Sequence, residues 1–232
     1  METDIMAIGA HPDDIEIGMG GALANFSSCG YKVVMVDLSD GEPTPFGTHE
    51  KRLLESKHSA TVLRVSHRHT LNLKNREIFD TVENRKTLAS VIREYRPKIL
   101  FIPYADEGHP DHFEANKLCL ASRFYAKLTK TDMPFEPFLP PKIYSYYTLH
   151  LRLRVQPTFI IDISNSINQK LEAINCYASQ FAENEKNQQV IGNVQTENAY
   201  WGKQIRRSFG EPFFSCEYLE INDLNQLFYD KS

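Results

Sequence analysis

The chain has 232 residues, of which 41% are hydrophobic and 24% are charged, and its formal net charge is -4. This length and composition are typical of a globular protein with a buried core, so we predict a single domain over residues 1–232. The weakly acidic balance argues against nucleic acid as a partner, because binding to a phosphate backbone needs a basic surface.

Two features of the sequence predict the compartment. The first residues, METDIMAIGAHPDD, carry acidic side chains and contain no long apolar run. This start is unlike a signal peptide or a membrane anchor, so we expect a cytoplasmic protein with no membrane partner. The four cysteines, at positions 29, 119, 176 and 216, have no paired spacing, which favours buried structural thiols over disulfides or a thiolate metal site.

Strands and helices alternate in the predicted secondary structure. Strands are predicted at residues 4–9, 32–38, 71–73, 99–103, 143–147 and 159–163. Helices are predicted at residues 15–29, 49–64, 81–95, 167–181 and 200–209, and another runs from the 109–112 region to about residue 125. The proline-rich stretch 130–141 is predicted to be a surface connection. The alternation predicts an α/β layered domain with a mainly parallel sheet.

Two short polar clusters follow predicted strands: HPDD at residues 11–14 and HPDH at residues 109–112. Ligands of parallel sheets bind beyond the carboxyl ends of the strands, so both clusters should face one crevice. Together the clusters supply three imidazoles and three carboxylates. That set is sufficient for a metal ion with mixed nitrogen and oxygen ligands and for catalytic groups beside it.

The residue types in these clusters are those of a hydrolytic zinc site. Zinc in hydrolases is typically held by three protein ligands, often two histidines and a carboxylate, with a fourth position for water. His11, Asp14 and His112 supply that set, so we predict one Zn²⁺ per chain, with other divalent metals as alternatives. Asp13 lies beside this set and is predicted to act as the general base.

The remaining two polar residues of HPDH are predicted to assist the reaction. His109 is expected to face the developing oxyanion as an imidazolium or to protonate the leaving amine. Asp111 is expected to orient His109, because a carboxylate partner fixes the tautomer of an imidazole. The alternative for Asp111 is a capping role at the start of the following helix.

Other patterns in the chain have simpler interpretations. The glycines at positions 18, 20 and 21 raise the possibility of a phosphate-binding loop, but Leu23 occupies the last glycine position of G-x-G-x-x-G and no lysine completes a P-loop. We therefore reject nucleotide binding and interpret these glycines as positions of close helix packing. His67 and His69 resemble a ligand pair, yet no acidic cluster lies nearby, so we expect them at the surface.

The motifs AHPDD and HPDH, each after a predicted strand, resemble those of the PIG-L/LmbE family of zinc-dependent N-deacetylases. The stretches DLSDGEPTPFGT, RPKILFIPY, YASQ, YWG and GEPF also resemble family features, so the resemblance covers most of the chain. It implies a Rossmann-like three-layer fold and zinc bound by His11, Asp14 and His112. It also implies Asp13 as general base and His109 as the group that stabilises the transition state.

The resemblance further implies contacts to the substrate. Family members use an arginine in the helix after the second strand to hold substrate hydroxyls, and Arg52 matches that position; the alternative is an exposed charge on a solvated helix face. An acidic residue further along has a similar role, and Asp80, with Arg76 nearby, is the candidate. The sequence departs from the mycothiol-pathway members at Glu107, where they have a tyrosine, which argues against a mycothiol-type substrate.

These observations predict zinc-dependent removal of an N-acetyl group from an N-acetylglucosamine-containing small molecule or conjugate, such as a thiol-sugar precursor of the bacillithiol type. One alternative is an amidase acting on another small amide or thiol-sugar conjugate. Another is a metal-binding module without catalysis, although structural zinc sites usually have four protein ligands and lack spare acid–base groups. The resemblance also implies a homo-oligomer, with an N-acetylated sugar as the small-molecule partner.

Overall fold

The computed structural model describes residues 2–106, 108–148 and 155–220, and these form a seven-stranded sheet flanked by helices. The strands are β1 (Thr3–Gly9), β2 (Val33–Ser39), β3 (His67–Leu73), β4 (Pro97–Pro103), β5 (Lys142–Tyr146), β6 (Phe159–Asp162) and β7 (Gly210–Phe214). The helices are α1 (Asp14–Ser28), α2 (His49–Val62), α3 (Val82–Tyr95), α4 (Pro110–Ala126), α5 (Ile167–Asn175), α6 (Ala178–Phe181) and α7 (Val190–Gln204).

The strand order is β3-β2-β1-β4-β5-β7-β6. Strands β1 to β5 are parallel to one another, whereas β7 is antiparallel to both β5 and β6. The prediction of a mainly parallel α/β sheet is therefore confirmed. The chain moves outward from β1 to β3 and then returns to place β4 on the other side of β1. This reversal opens a crevice at the carboxyl ends of β1 and β4, where ligands of such sheets bind.

Two hydrophobic cores lie on opposite faces of the sheet. Alternate residues of β1 point to opposite faces, as the two-residue period of a strand requires. Met6 and Ile8 pack with apolar residues of α3 and α4, whereas Ile5 and Ala7 pack with residues of α1 and α5. The result is a Rossmann-like, three-layer arrangement with helices on both faces. None of the helices among the described residues combines the length and apolar character needed to span a membrane.

Several predicted elements differ from the observed ones. The helix predicted at 200–209 has the wrong bounds, because α7 begins at Val190 and ends at Gln204. It is followed by β7, for which no strand was predicted. The sequence of β7, GEPFF, contains proline and shows no alternation; its strand conformation comes from pairing with β5 and β6. The predicted helix 167–181 is divided into α5 and α6 at Tyr177, whose buried hydroxyl donates to Glu16 at 2.7 Å.

Other predictions need smaller corrections. Strand β3 begins at His67, well before the predicted start at residue 71. The prediction missed its first residues because β3 is an edge strand with no fully buried residue and a mostly polar sequence. Neither His67 nor His69 on this strand belongs to a candidate metal group of the described residues. Of the cysteines, which are all free, Cys119 is buried as predicted, whereas Cys29 and Cys216 are exposed. The stretch 130–141 is the predicted, largely exposed connection between α4 and β5.

Helix α1 is interrupted at Met19, where φ is -148°. Glu211 of β7 caps the second half of the helix, because its carboxylate accepts from the backbone N–H of Gly21 at 2.9 Å and of Ala22 at 2.7 Å. Lys170 donates to the same carboxylate at 2.6 Å, and both side chains of this ion pair are fully buried. A Cβ at Gly21 would lie 2.8 Å from Ile163, which confirms close packing at this glycine.

We expect Lys170→Met to lower the free energy of unfolding by about 3–5 kcal/mol, because Glu211 would remain buried without its cationic partner. Urea unfolding followed by circular dichroism measures the loss. The matched control is Lys98→Met, since Lys98 forms its ion pair with Asp4 at the surface and its side chain is 70% exposed. The control should leave the unfolding midpoint almost unchanged. A Lys170→Met variant as stable as this control would contradict the expectation.

Candidate metal and catalytic site

The two polar clusters meet at the crevice between β1 and β4. β1 leads directly into residues 11–14, and β4 leads through a short loop to residues 109–112 at the start of α4. Although they are 100 positions apart, His11 and Asp111 are in contact, with 2.9 Å between His11 Nε2 and Asp111 Oδ2. The prediction that both clusters face one crevice is therefore confirmed.

His11, Asp14 and His112 form a compact group of metal-ligating side chains. His11 Nδ1 lies 3.5 Å from Asp14 Oδ2, and His112 Nε2 lies 3.1 Å from Asp14 Oδ1. One donor atom from each of the three residues lies within 4.8 Å of the other two, and all three residues are buried. Two imidazole nitrogens and one carboxylate, converging in a buried position, fit a divalent metal ion.

The backbone fixes Asp14 in this group. Asp14 is the first residue of α1, and its Oδ2 accepts from the backbone N–H of His11 at 2.8 Å. This local turn directs the carboxylate toward the crevice instead of toward solvent. A second candidate group consists of His11, His109 and Asp111. In that group Asp111 Oδ2 already accepts hydrogen bonds from His11 and from the backbone N–H of Arg76, so the first group is the better metal site.

The charges within the group are strongly coupled. Burial favours the neutral form of His11, but hydrogen bonds to Asp111 and Asp14 outweigh it and raise the pKa of His11 to about 9. Burial favours the neutral form of Asp14 as well, yet His112 and His11 hold the pKa of this carboxyl well below its usual range. A metal ion that binds here displaces the proton of His11, because a ligating imidazole must be neutral.

Asp13 stands beside the metal-ligating group and lines the same cavity. Its backbone is in the left-handed region, with φ at 105°, a conformation that aspartate tolerates better than most residues. Burial raises the pKa of its carboxyl to about 7, while the nearby positive charge of Arg52 opposes the rise. Arg52 Nη2 lies 3.3 Å from Asp13 Oδ2. The carboxylate of Asp13 is thus paired with a cation that also lines the cavity.

The structure pairs Asp111 with a different histidine from the one predicted. The carboxylate of Asp111 contacts His11 and the backbone N–H of Arg76, at 2.9 and 2.8 Å. His109 is the N-cap of α4, and its Nδ1 accepts from the backbone N–H of Asp111 at 3.1 Å. The first turn of α4 therefore directs the carboxylate across to the loop after β1. Its contact fixes the tautomer and orientation of His11, with Nδ1 facing Asp14.

Arg52 lies in the wall of the cavity, as a substrate contact would. It is only 2% exposed, so the alternative of a solvated helix charge is wrong. Its Nη2 donates to the carbonyl oxygen of Pro12 at 2.6 Å, and its guanidinium lies 5.3 Å from the ring centroid of Tyr177. Its Nε and Nη1 have no hydrogen-bond partner in the part of the chain that the structure describes.

The structure does not bring Asp80 to the cavity. Asp80 immediately precedes the N-cap Thr81 of α3, and Arg85, one turn into that helix, donates from Nε to the Asp80 carboxylate at 2.6 Å. Asn75 and Arg76, which follow the end of β3, line the cavity instead. Their position after a parallel strand was the signal that could have identified them. The predicted departure at Glu107 lies outside the described residues.

The cavity itself has a volume of about 270 Å³, and its wall is divided about equally between polar and apolar surface. His109 lines it from the start of α4, and the far side is formed by residues of α6 and the turn after it, including Gln180 and Asn187. These amides, together with Thr44 and Thr148, were not predicted from the sequence. Hydroxyl and amide groups around a small cavity suit a small ligand with many hydrogen-bonding groups.

The sequence and the fold are similar to those of known deacetylases. The PIG-L family, described as GlcNAc-PI de-N-acetylase, matches residues 6–122. Diacetylchitobiose deacetylase of Thermococcus kodakarensis is 34% identical over 197 residues, which cover 77% of this chain and 70% of that protein.

Two solved structures are similar to this chain. The conserved protein TT1542 from Thermus thermophilus superposes with a TM-score of 0.87 at 31% identity, covering 95% of this chain and 98% of that one. N,N'-diacetylchitobiose deacetylase from Pyrococcus horikoshii superposes with a TM-score of 0.78 at 28% identity, covering 91% and 82%. The described sheet and its flanking helices are thus shared with both proteins.

Proposed function

Since this chain belongs to the PIG-L family and is an amide hydrolase of the N-deacetylase type, we propose that residues 1–232 form one deacetylase domain that acts on an N-acetylglucosamine-containing small molecule or conjugate. The observation that carries the proposal is the convergence of His11, Asp14 and His112 in one cavity with Asp13 beside them. The reaction consumes one water and releases acetate and the free amine of the sugar.

We propose that His11, Asp14 and His112 hold one zinc ion per chain, with other divalent ions as substitutes. The donor set supports this assignment, because two imidazoles and one carboxylate are a common ligand set of hydrolytic zinc. A divalent ion in such a site supplies Lewis-acid chemistry, since it polarises a carbonyl and acidifies a water molecule. Asp111 holds the Nε2–H of His11, which leaves Nδ1 as the donor atom toward the ion.

Asp13 is assigned the role of proton acceptor. Its carboxylate lines the cavity next to Asp14 and is not required as a ligand. In this role it takes a proton from the attacking water, and the carbon–nitrogen bond of the amide later breaks as a proton is delivered to the leaving nitrogen. Arg52 keeps Asp13 in place through the 3.3 Å contact, and its position in the cavity wall supports binding of a sugar hydroxyl.

His109 is assigned to the oxyanion and the leaving amine. Its ring lies in edge contact with the ring of His11 at 5.1 Å and stacks on that of His112 at 4.7 Å, so it borders the ligand group and lines the cavity. An imidazolium at this position stabilises negative charge that develops on the carbonyl oxygen, and it can afterwards supply a proton to the amine.

His109→Ala should retain metal and lose most of its turnover, because the imidazole acts on the transition state rather than on the ion. We expect kcat to fall by about 10²–10⁴-fold, as for removal of a general acid. Metal content and initial rates are both measured on the purified variant, with His67→Ala as control, since His67 is exposed on the edge strand β3. Loss of the metal with the imidazole would show that His109 is a ligand.

The substrate proposal is tested by the products. Purified, metal-replete enzyme is incubated with N-acetylglucosamine, N,N'-diacetylchitobiose, N-acetylglucosaminides and simple acetamides, and both free amine and acetate are quantified. Release of both products in equal amounts from the sugars supports the proposal. Turnover of simple acetamides alone would favour the alternative of a general small-amide amidase, and absence of turnover with one bound ion per chain would favour a metal-binding module.

We further propose a homo-oligomer located in the cytoplasm, with no nucleic acid or membrane partner. Support for an oligomer comes from the family resemblance and from α4, where Phe113, Leu120 and Phe124 lie along one helix face and are each more than 40% exposed. Light scattering after size-exclusion chromatography tests the oligomer, and cell fractionation tests the compartment. A monomer at micromolar concentration would contradict the first expectation.

A further inference from the structure

Tyr177 is fully buried at the N-cap of α6, and the proposed reaction assigns it no role. It is the first residue of the stretch YASQ, in which the backbone N–H of Ser179 donates to Glu55 at 2.8 Å and Gln180 lines the cavity. The ring of Tyr177 faces the guanidinium of Arg52, with 5.3 Å between the guanidinium carbon and the ring centroid. This distance is within the range of a cation–π contact.

The ring of Tyr177 explains how two buried N–H-bearing nitrogens of Arg52 are tolerated. Arg52 Nη2 donates to the carbonyl oxygen of Pro12 at 2.6 Å and lies 3.3 Å from Asp13 Oδ2. Within the described ranges, Nε and Nη1 have no hydrogen-bond acceptor, since the carboxylate oxygen of Glu42 lies 3.9 Å from Nε, too far for a hydrogen bond. The negative face of an aromatic ring takes the place of an acceptor, because it attracts a cation that is shielded from water.

A buried ionic cluster fixes the ring of Tyr177 in turn. The hydroxyl of Tyr177 donates to Glu16 Oε1 at 2.7 Å, and Arg68 Nη1 donates to the same oxygen. Arg68 also donates to both oxygens of Asp37 on β2, from Nε at 2.6 Å and from Nη2 at 2.8 Å. A bidentate contact of this kind has a defined geometry, and both Glu16 and Asp37 are fully buried. Tyr177 therefore presents its ring to Arg52 from a position that is tied to the central sheet.

We propose that Tyr177 is a positioning residue of the deacetylation reaction, whose ring holds the guanidinium of Arg52 against Asp13. The inference rests on the proposed function, in which Asp13 accepts the proton of the attacking water. Tyr177 acts on the reaction only through Arg52. With the ring in place, the guanidinium keeps the Asp13 carboxylate aligned; without the ring, the guanidinium shifts and the alignment of the base is lost. A small misplacement of a catalytic group is enough to slow a reaction substantially.

Two substitutions of Tyr177 separate the ring from the hydroxyl. Tyr177→Leu should lower kcat with N,N'-diacetylchitobiose by about 5–30-fold, the effect of losing a desolvated cation–π contact, with a smaller rise in KM. Tyr177→Phe keeps the ring and should recover most of the lost kcat, although its urea unfolding midpoint should fall because Glu16 loses a hydrogen-bond donor. The matched control is Phe213→Leu, which removes a fully buried ring that packs against Phe101 and Phe159. It should lower the unfolding midpoint and leave kcat unchanged.

A double-mutant cycle with Arg52→Gln distinguishes positioning from a general effect on the fold. If the ring acts through Arg52, Tyr177→Leu should cause no further loss of kcat in a protein that already carries Arg52→Gln. Independent effects would multiply instead, and that result would overturn the proposal. All proteins of the cycle are compared at full metal occupancy, and the urea unfolding midpoint of each is measured to show that it is folded under the assay conditions.

A spectroscopic measurement tests the contact without turnover. A proton above an aromatic ring is shifted upfield, so the NMR signal of the Arg52 Nε–H, identified by its loss in Arg52→Gln, should be displaced in the wild type and in Tyr177→Phe but not in Tyr177→Leu. An undisplaced wild-type signal, or wild-type kcat in Tyr177→Leu, would overturn the role of Tyr177 and leave the deacetylase function in place. A displaced signal in a metal-replete wild type that releases no amine from any N-acetylated sugar would overturn the proposed function, and the positioning role with it.

Discussion

Asp13→Asn is expected to lower kcat by about 10²–10⁴-fold, the usual contribution of a general base. The amide has almost the shape of the carboxylate and still hydrogen-bonds, but it cannot accept a proton at neutral pH. Asparagine also tolerates the left-handed backbone found here, with φ at 105°, so the substitution adds little strain of its own. Metal content and KM should therefore remain near the wild-type values, and turnover alone should fall.

Single-turnover and steady-state rates of metal-replete enzyme measure this effect, together with the metal content of the same preparation. Asp80→Asn is the matched control, because Asp80 undergoes the same chemical change but pairs with Arg85 outside the cavity. The control should keep wild-type kcat and KM. Wild-type turnover in Asp13→Asn would exclude this carboxylate as the base and leave the metal-activated water without an assigned proton acceptor.

His112→Ala should release the metal, because it removes one of the three buried donors. We expect the affinity to fall by more than about 100-fold, since even outer partners of metal ligands contribute about 10–100-fold. Metal content after dialysis against a metal-buffered solution is measured by elemental analysis. His58→Ala is the control; His58 is exposed on α2, so its removal should leave one ion per chain.

A buried histidine can also support the fold, so the stability of His112→Ala is compared with that of metal-free wild type by thermal unfolding. Asp14→Asn provides a second ligand variant with a smaller change in volume. Both variants should fold and should bind the metal ion only weakly. Full occupancy at unchanged affinity in His112→Ala would remove this residue from the ligand set.

Much of the candidate site could be predicted from the sequence, because its residues lie in two short segments. HPDD and HPDH each follow a strand, and parallel strands place such segments at one edge of the sheet. The partner of Asp111 could not be predicted from the sequence, because the direction in which a side chain leaves the first turn of α4 depends on the neighbouring loop after β1. Only the folded arrangement puts that carboxylate on His11 instead of His109.

The assignment of Asp80 failed for a different reason. The resemblance implies an acidic substrate contact in this part of the chain, but Arg85 lies one turn further along and binds the carboxylate of Asp80. Asn75 is less conspicuous, yet it stands directly after β3, at the edge of the sheet where the cavity lies. Strand β3 was predicted too short because its edge position leaves it polar.

The interruption of α1 has a consequence for the order in which the protein matures. Every residue assigned to the metal lies within the first 112 positions, but the carboxylate that caps the second half of α1 belongs to Glu211, roughly a hundred residues later. At about 5–20 residues per second, the ribosome takes on the order of 5–20 s to synthesise that interval. During this interval, the second half of α1 lacks the carboxylate that caps it, and strand β7 is not yet present. If these residues bind a metal ion as proposed, we expect the ion to reach its final geometry only after β7 has been translated.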